Sequence, residues 1–222
     1  MDNLQATGDR RPDERIQWAF FYSVGGDLRF ISHHDTLRLF RRAFARIALP
    51  LRFSQGFNPQ PRMSIPLPRP VGIASDAEAI VVETTDLIDP DDALERLQND
   101  TPGELCLSGV RRLESGETLR PSAVRYRIEP CEPRINDLES RIKRLLENQV
   151  VPIERRNPKH PGGTTVDVRP YLEKIDLVEQ AVEMTLLVTN RGTAKPAEVA
   201  ALLGYPVDAI NHRIRRLEII WQ

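Results

Sequence analysis

The strongest constraint on the fold of this chain is a succession of strand-like and helical patterns that occurs twice. In the first succession, short segments rich in β-branched and aromatic residues alternate with segments whose apolar residues recur at the helical period of about 3.6 residues. The strand-like segments are 16–24, 78–84 and 105–113, with a short one near 51–53 or 63–67, and the helical patterns are 33–48 and 90–99. The resulting order is βαββαβ.

The second succession has the same order. Its strand-like segments are 124–129, 150–154, 181–189 and 217–221, its helical patterns are 135–146 and 196–203, and between them lie a predicted loop at 155–165 and an extended segment at 166–171. Two βαββαβ units predict an α+β protein with two tandem ferredoxin-like domains, each an antiparallel sheet with helices on one face. We predict a flexible tail at 1–15, a first domain at 16–118 that holds a GFNP loop, and a second domain at 119–222.

Composition and motifs exclude several classes of protein. No apolar run approaches the roughly 20 residues of a membrane-spanning helix, and the polar start MDNLQATGDRRPDER has no hydrophobic signal core, which predicts a cytoplasmic protein. Cys106 and Cys131 lack CxxC spacing and neighbouring histidines, which predicts two buried thiols and no metal site. Because GxxxxGK, GxGxxG, CxxxCxxC and GxSxG motifs are absent, we expect no cofactor and no radical chemistry on this chain itself.

Arginines cluster in the first predicted helix and in the segment that follows it. Residues 38–69 include seven arginines and no lysine, aspartate or glutamate. Four of them form a stripe on the helix face opposite the apolar Leu37, Phe40, Phe44 and Ile47, and three more would extend it. The stripe is Arg38, Arg41, Arg42 and Arg46, and the extension is Arg52, Arg62 and Arg69. Since arginine forks bind phosphate oxygens, the stripe predicts phosphate binding, and the alternative is a solvated face paired with acids from other segments.

The loop SQGFNPQPR at residues 54–62 has the residue types of a recognition loop. Phe57 can stack on a ligand, Gln55 and Asn58 can hydrogen-bond to it, and Gly56 allows close approach to the backbone. Arg62 adds a charge at the end of the loop. The structural alternative is that Gly56 and Asn58 serve the turn while Phe57 plugs the loop onto the core.

Two histidines and an aspartate lie at the start of the basic helix. His33, His34 and Asp35 offer groups for proton transfer, although no nucleophile lies beside them. The alternative is that Ser32 and Asp35 cap the helix while His33 packs against a loop. Adjacent residues of a helix point about 100° apart, so we predict no metal binding by the two histidines.

Three segments resemble, in chain order, the marker segments of the bacterial radical SAM-linked proteins, which are also called domain of unknown function 2344. These segments are SHHDTLRLFRRAF, SQGFNPQPRMSIPLPRPVGIAS and VDVRPYL. The resemblance extends from about Gln17 over essentially the rest of the chain, and GFNPQP with the following PLPRPVG is its most specific part. The chain departs from the usual pattern at Gln60, where a basic or histidine side chain is common, and at His34, where an apolar residue is usual.

The resemblance implies an accessory role. Members of that family are found beside, or fused to, a radical S-adenosylmethionine enzyme, and some lie near genes for ribosomal or RNA-processing proteins. The implied partners are therefore a radical SAM enzyme and RNA or a ribosomal protein.

Three functions are compatible with these observations. We expect a non-catalytic accessory or substrate-binding protein that acts with a radical SAM enzyme and recognises RNA, or an RNA-associated protein, through the basic helix and the GFNP loop. The first alternative is an enzyme that uses His33, His34 or Asp35, and the second is an interaction module that docks through sheet edges or the acidic helix around Asp91 and Asp92. Convergence of the arginine stripe and Phe57 on one concave surface would favour the binding protein over the interaction module.

Overall fold

The computed structural model describes residues 15–132, 134–157, 160–206 and 210–222, so the predicted tail lies outside the described residues except for Arg15. The described residues form ten strands and four α-helices. The strands are β1 Ile16–Val24, β2 Met63–Ser64, β3 Ala74–Thr84, β4 Leu105–Arg112, β5 Pro121–Ile128, β6 Pro152–Asn157, β7 His160–Asp167, β8 Leu172–Val178, β9 Ala181–Leu187 and β10 Ile214–Trp221. The helices are α1 His33–Arg46, α2 Pro90–Asp100, α3 Leu138–Glu147 and α4 Pro196–Leu203.

Eight strands form one continuous sheet. Its order is β4-β1-β3-β10-β5-β9-β8, with β2 beside β3. Every neighbouring pair is antiparallel except β3 and β10, which are parallel with Arg215 opposite Ala74 and Arg216 opposite Ser75. The predicted α+β class is confirmed. The two sheets expected from the sequence, however, are joined into one by the pairing of β10 with β3.

The insertion between α3 and β8 differs from the prediction. Strand β6 does not enter the main sheet but pairs with β7 in a separate two-stranded sheet, where a loop was expected at 155–165. The hairpin is closed at its base because the backbone N–H of Val151 donates to Asp167 Oδ1 at 2.8 Å. Strand β8 was not predicted, since a bulge between Leu172 and Lys174 interrupts its alternation.

Helix α1 forms where the sequence predicted it. Ser32 caps its start, and every third or fourth residue turns an apolar side chain towards β1. Phe40 and Phe44 are fully buried there. Phe44 lies 5.2 Å from the ring of Phe20, and Phe40 lies 4.8 Å from the ring of Tyr22. This packing fixes one face of α1 on the sheet and leaves its arginines on the outer face.

In the second half of the chain, the side chains of β5 alternate between two faces of the sheet. Val124, Tyr126 and Ile128 of β5 are buried in a core that includes residues of α3 and α4. The intervening Arg125 and Arg127 lie on the other face, where both form ion pairs with Glu183 of β9. The period of two in β5 therefore separates an apolar face under the helices from a charged one.

Candidate functional site

The GFNP loop is the tip of an arm, residues 51–63, that extends from the edge of β3. Arg52 N–H donates to Glu83 O at 2.8 Å, and Glu83 N–H donates to Arg62 O at 2.9 Å, so both ends of the arm continue the sheet. Further out, Ser54 N–H donates to Gln60 O at 2.8 Å and Gln60 N–H donates to Ser54 Oγ at 3.0 Å. These bonds hold the tip, residues 55–59, on a closed and ordered base.

The aromatic side chain at the tip is presented to solvent. Phe57 has a relative exposure of 112%, so the alternative in which it plugs the loop onto the core is wrong. Gly56 adopts a φ of +129°, which favours glycine, while an added Cβ there would meet no atom within 4 Å. Gly56 therefore serves the turn, and the space around the tip is open. Gln55 and Asn58 are exposed beside it.

The arginines of the predicted stripe differ in their partners. Arg38 Nη1 lies 3.0 Å from Asp35 Oδ1, and Arg46 Nε lies 2.6 Å from Asp100 Oδ1, which ties α1 to the end of α2. Arg42 is exposed and forms no ion pair within the described residues. The alternative interpretation, a helix face paired with acids, therefore holds for Arg38 and Arg46. Arg42 has no ion-pair partner among the described residues.

The proposed extension of the stripe is mainly structural. Arg62 Nε lies 3.8 Å from Glu83 Oε2 at the base of the arm. The guanidinium of Arg69 donates to the carbonyl oxygens of Arg29 at 2.7 Å and Ile73 at 2.6 Å, and burial lowers its pKa. Arg69 therefore holds the proline-rich segment, residues 59–70, against the sheet, and its guanidinium is engaged by the protein's own carbonyl oxygens.

Helix α1 and the arm meet at a groove of about 380 Å³. The contact is a hydrogen bond in which Arg41 Nη1 donates to Gln60 Oε1 at 2.9 Å. Side chains from both elements line the groove: His34, Leu37, Arg38, Arg41, Gln60, Pro61 and Met63. The sequence predicted that Leu37 lies on the buried face of the helix, and it did not identify Pro61 or Met63 as binding residues. Their apolar character and position beside the motif were the available signals.

The two histidines face different environments. His34 is exposed in the groove, whereas the half-buried His33 lines a small pocket of about 10 Å³ together with Tyr22, Arg69 and Glu78. His33 Nδ1 is buried and has no hydrogen-bond partner within the described residues. Their ring centroids are 5.5 Å apart. The two imidazoles therefore open onto different spaces: His34 onto the groove, and His33 onto the pocket beside Glu78.

Asp35 is engaged in capping α1. Its backbone N–H donates to Ser32 Oγ at 3.2 Å, and Ser32 Oγ–H donates to Asp35 Oδ2 at 2.7 Å. This hydrogen bond, with a contribution from Arg38, lowers the pKa of Asp35 below its usual value. The predicted cap is confirmed, and an ionised carboxylate held in this way is a weak base.

A polar cluster next to His33 was missed by sequence reasoning. Glu78 and Tyr22 are almost fully buried, and burial raises the pKa of both side chains. The signal for this cluster was a glutamate inside the strand-like segment EAIVVET, where an interior charge requires a partner. That partner, Arg216, comes from β10 and could not be identified by local spacing.

The two cysteines differ in exposure. Cys131 is buried as expected, but Cys106 is exposed because it lies on the outer edge strand β4 beside the buried Leu105. Among the described residues, no group of three or more His, Cys, Asp or Glu side chains could hold a metal ion. No helix in the described ranges has the length and apolar character needed to cross a membrane.

The chain is similar to a family of bacterial proteins. The family model described as "Uncharacterized protein conserved in bacteria (DUF2344)" matches residues 17–196. No curated protein matches the chain. The matched range includes α1, the GFNP arm and the groove between them.

Proposed function

The chain belongs to the DUF2344 family of proteins conserved in bacteria, and for it we propose a non-catalytic binding role in which single-stranded RNA enters the groove between α1 and the GFNP arm. The observation that carries this proposal is the convergence of the two predicted elements. Arg41 of α1 donates to Gln60 of the arm, and the fully exposed Phe57 lies at the tip of the same arm.

The groove and the surfaces next to it provide the two components with which proteins bind single strands. Arg38 and Arg41 line the groove, whereas Arg42 on α1 and Phe57 at the tip of the arm lie outside its lining. Arginines attract the phosphate backbone, and an exposed aromatic ring stacks on a base. Arg42 is suited to the first task because no acid of the described residues neutralises it, and Arg41 adds the N–H groups that Gln60 does not use. Phe57 is suited to the second task because its ring is not covered by the protein.

An enzyme that uses the start of α1 is less well supported. His33 and His34 face different environments, and Asp35 is held as an ionised cap. A general acid or base must reach the same substrate as its partner groups. The three side chains do not share one accessible space, which favours binding over catalysis.

We further propose that this RNA is presented to a partner radical SAM enzyme in the cytoplasm. Support comes from the three marker segments, which resemble those of the radical SAM-linked proteins. Members of that family occur with such enzymes. The binding protein would contribute recognition, while the partner would contribute the cofactor and the chemistry.

We also propose that the two halves are tandem ferredoxin-like units with their boundary near residue 118. The strand orders β4-β1-β3-β2 and β10-β5-β9-β8 support this proposal, since each half places its first and third strands at the centre. In each half one helix follows the first strand and another precedes the last. In this arrangement, the β3–β10 pairing joins the units.

Fluorescence anisotropy with labelled single-stranded and duplex RNA tests the RNA proposal. We expect the single strand to bind more tightly, and the double variant Arg41→Glu/Arg42→Glu to weaken binding and reduce the log–log salt slope by about 1.4 for two lost phosphate contacts. Lys143→Glu is the matched control, because Lys143 is an exposed cation on α3 in the other half.

Two results would contradict the RNA proposal. One is an unchanged salt slope in the double variant. The other is absence of RNA binding together with nuclease-resistant capture of a ribosomal protein, which would indicate a protein ligand.

A further inference from the structure

We infer that the rim of the groove reads the acceptor edge of an unpaired guanine. This inference rests on the proposed binding of single-stranded RNA and specifies the base that the site prefers. It is carried by a chain of three exposed side chains, Arg41, Gln60 and Asn58, whose hydrogen bonds run in one direction.

Arginine determines that direction. Arg41 can only donate, so the atom of Gln60 that faces it at 2.9 Å must be the amide oxygen. The amide nitrogen of Gln60 then faces Asn58 and donates to its Oδ1 at 3.1 Å. As a result, both side-chain amides have an assigned orientation although each could be flipped on its own.

The groups left for a ligand are N–H donors. The side-chain oxygens of Gln60 and Asn58 each already accept a hydrogen bond, whereas Asn58 Nδ2 has no acceptor within the described residues. One N–H of the Gln60 amide is also left over. The backbone N–H of Gln60 is held by Ser54 Oγ, which keeps this side of the arm in place.

Guanine is the base that matches two neighbouring donors. On the edge that carries N7, guanine presents two acceptors, N7 and O6, whereas adenine presents N7 beside an amino donor. In an unpaired strand the other edges are also free: uracil has the N3–H donor between O2 and O4, and cytosine has the adjacent acceptors N3 and O2. Guanine is favoured over cytosine because its two fused rings offer Phe57 a larger stacking surface than a single ring. Phe57 and Asn58 are both exposed at the tip of the arm, and in the inferred arrangement the base stacks on the Phe57 ring while the Asn58 amide reads its edge. An asparagine amide whose oxygen and nitrogen are both free pairs with the N6 amino group and N7 of adenine. The hydrogen bond from Gln60 occupies the amide oxygen of Asn58 and so disfavours this pairing.

Binding of a short oligouridine with a single central nucleoside tests this inference on the full chain. We expect central guanosine to bind about tenfold more tightly than adenosine, cytidine or uridine, and 7-deazaguanosine to lose most of that gain because it lacks the N7 acceptor.

Two variants and a control test the direction of the hydrogen bonds. Asn58→Asp replaces the Nδ2 donor by an acceptor oxygen, leaves only the N–H of Gln60, and should abolish the guanosine preference. Gln60→Glu still accepts from Arg41 but cannot donate to Asn58, so the preference should move from guanosine to adenosine. Gln149→Ala is the control, since Gln149 is an exposed amide in the second half of the chain and takes no part in these hydrogen bonds. Circular dichroism spectra of all variants should match the wild type.

The outcomes separate this inference from the proposed function. Equal affinity for the four nucleosides, or for guanosine and 7-deazaguanosine, would overturn the guanine reading and leave RNA binding in place. Absence of binding to every oligonucleotide would overturn both.

Discussion

Arg216 of β10 and Glu78 of β3 form a buried ion pair, with Arg216 Nη1 2.8 Å from Glu78 Oε1 and both side chains at most 2% exposed. Arg216 also donates to the carbonyl oxygen of Leu67 at 3.2 Å and contacts the Tyr126 hydroxyl at 3.4 Å. The pair lies where β10 meets β3 and therefore joins the two halves of the sheet to the proline-rich segment.

We expect single substitutions of this pair to destabilise the fold. Glu78→Gln leaves the guanidinium of Arg216 buried without a countercharge, and Arg216→Met leaves the carboxylate of Glu78 in the same position. Each should lower the free energy of unfolding by about 3–5 kcal/mol in urea titrations. The double variant should lose less than the sum of the two, and single losses below about 1 kcal/mol would contradict the joining role.

Phe57→Ala should leave stability unchanged within about 0.5 kcal/mol, because the exposed ring makes no core contact. RNA binding should weaken by about 1–3 kcal/mol through the loss of stacking. Phe44→Ala is the matched control, since Phe44 is fully buried and its truncation should cost about 3–5 kcal/mol. Thermal melts and anisotropy on the same samples separate the two effects, and a melt of Phe57→Ala resembling that of Phe44→Ala would contradict the exposed position.

Asp35→Asn should change the acid limb of the stability profile. The pKa of Asp35 is lowered from 3.8 in the folded chain, so its ionised carboxylate contributes stability above pH 3.8 that is lost as the pH falls through the lowered pKa. The wild type should therefore melt at a higher temperature than Asp35→Asn at pH 6–7, and the difference should vanish in strong acid. A difference that is constant with pH would show that the charge of Asp35 has no role in the cap.

The two cysteines should react with thiol reagents at different rates. Cys106 is exposed on β4, whereas Cys131 is 5% exposed in the core of the second half. A chromogenic disulfide reagent should therefore modify one thiol rapidly in the native protein and the second only on unfolding. Cys106→Ser identifies the fast thiol, and rapid modification of that variant would place Cys131 at the surface instead.

Helix α1 shows how much local sequence could predict. Its start followed from Ser32 and Asp35, its buried face from the spacing of Phe40 and Phe44, and its outer face from Arg42. Each of these features depends on residues within a few positions of one another. The same holds for the turn at Gly56, so the location of the candidate site was also predictable.

The partners of the site residues were not predictable in this way. Arg46 was assigned to the phosphate stripe, yet its carboxylate partner Asp100 lies 54 residues further along the chain. Helical periodicity gave no reason to separate Arg46 from Arg42. Exposure of Phe57 was equally open, because an aromatic residue in a turn can either plug a core or project from it.

The sequence by itself determined the α+β class, the caps and buried faces of the helices, and the position of the GFNP arm after α1. Only the tertiary structure decided that β10 pairs with β3, that Arg216 neutralises Glu78, and that Arg41 meets Gln60 at a groove. The physical reason is the range of the interactions. Hydrogen-bond caps and hydrophobic periodicity act between near neighbours, whereas strand pairing and buried charges depend on residues that only the folded chain brings together.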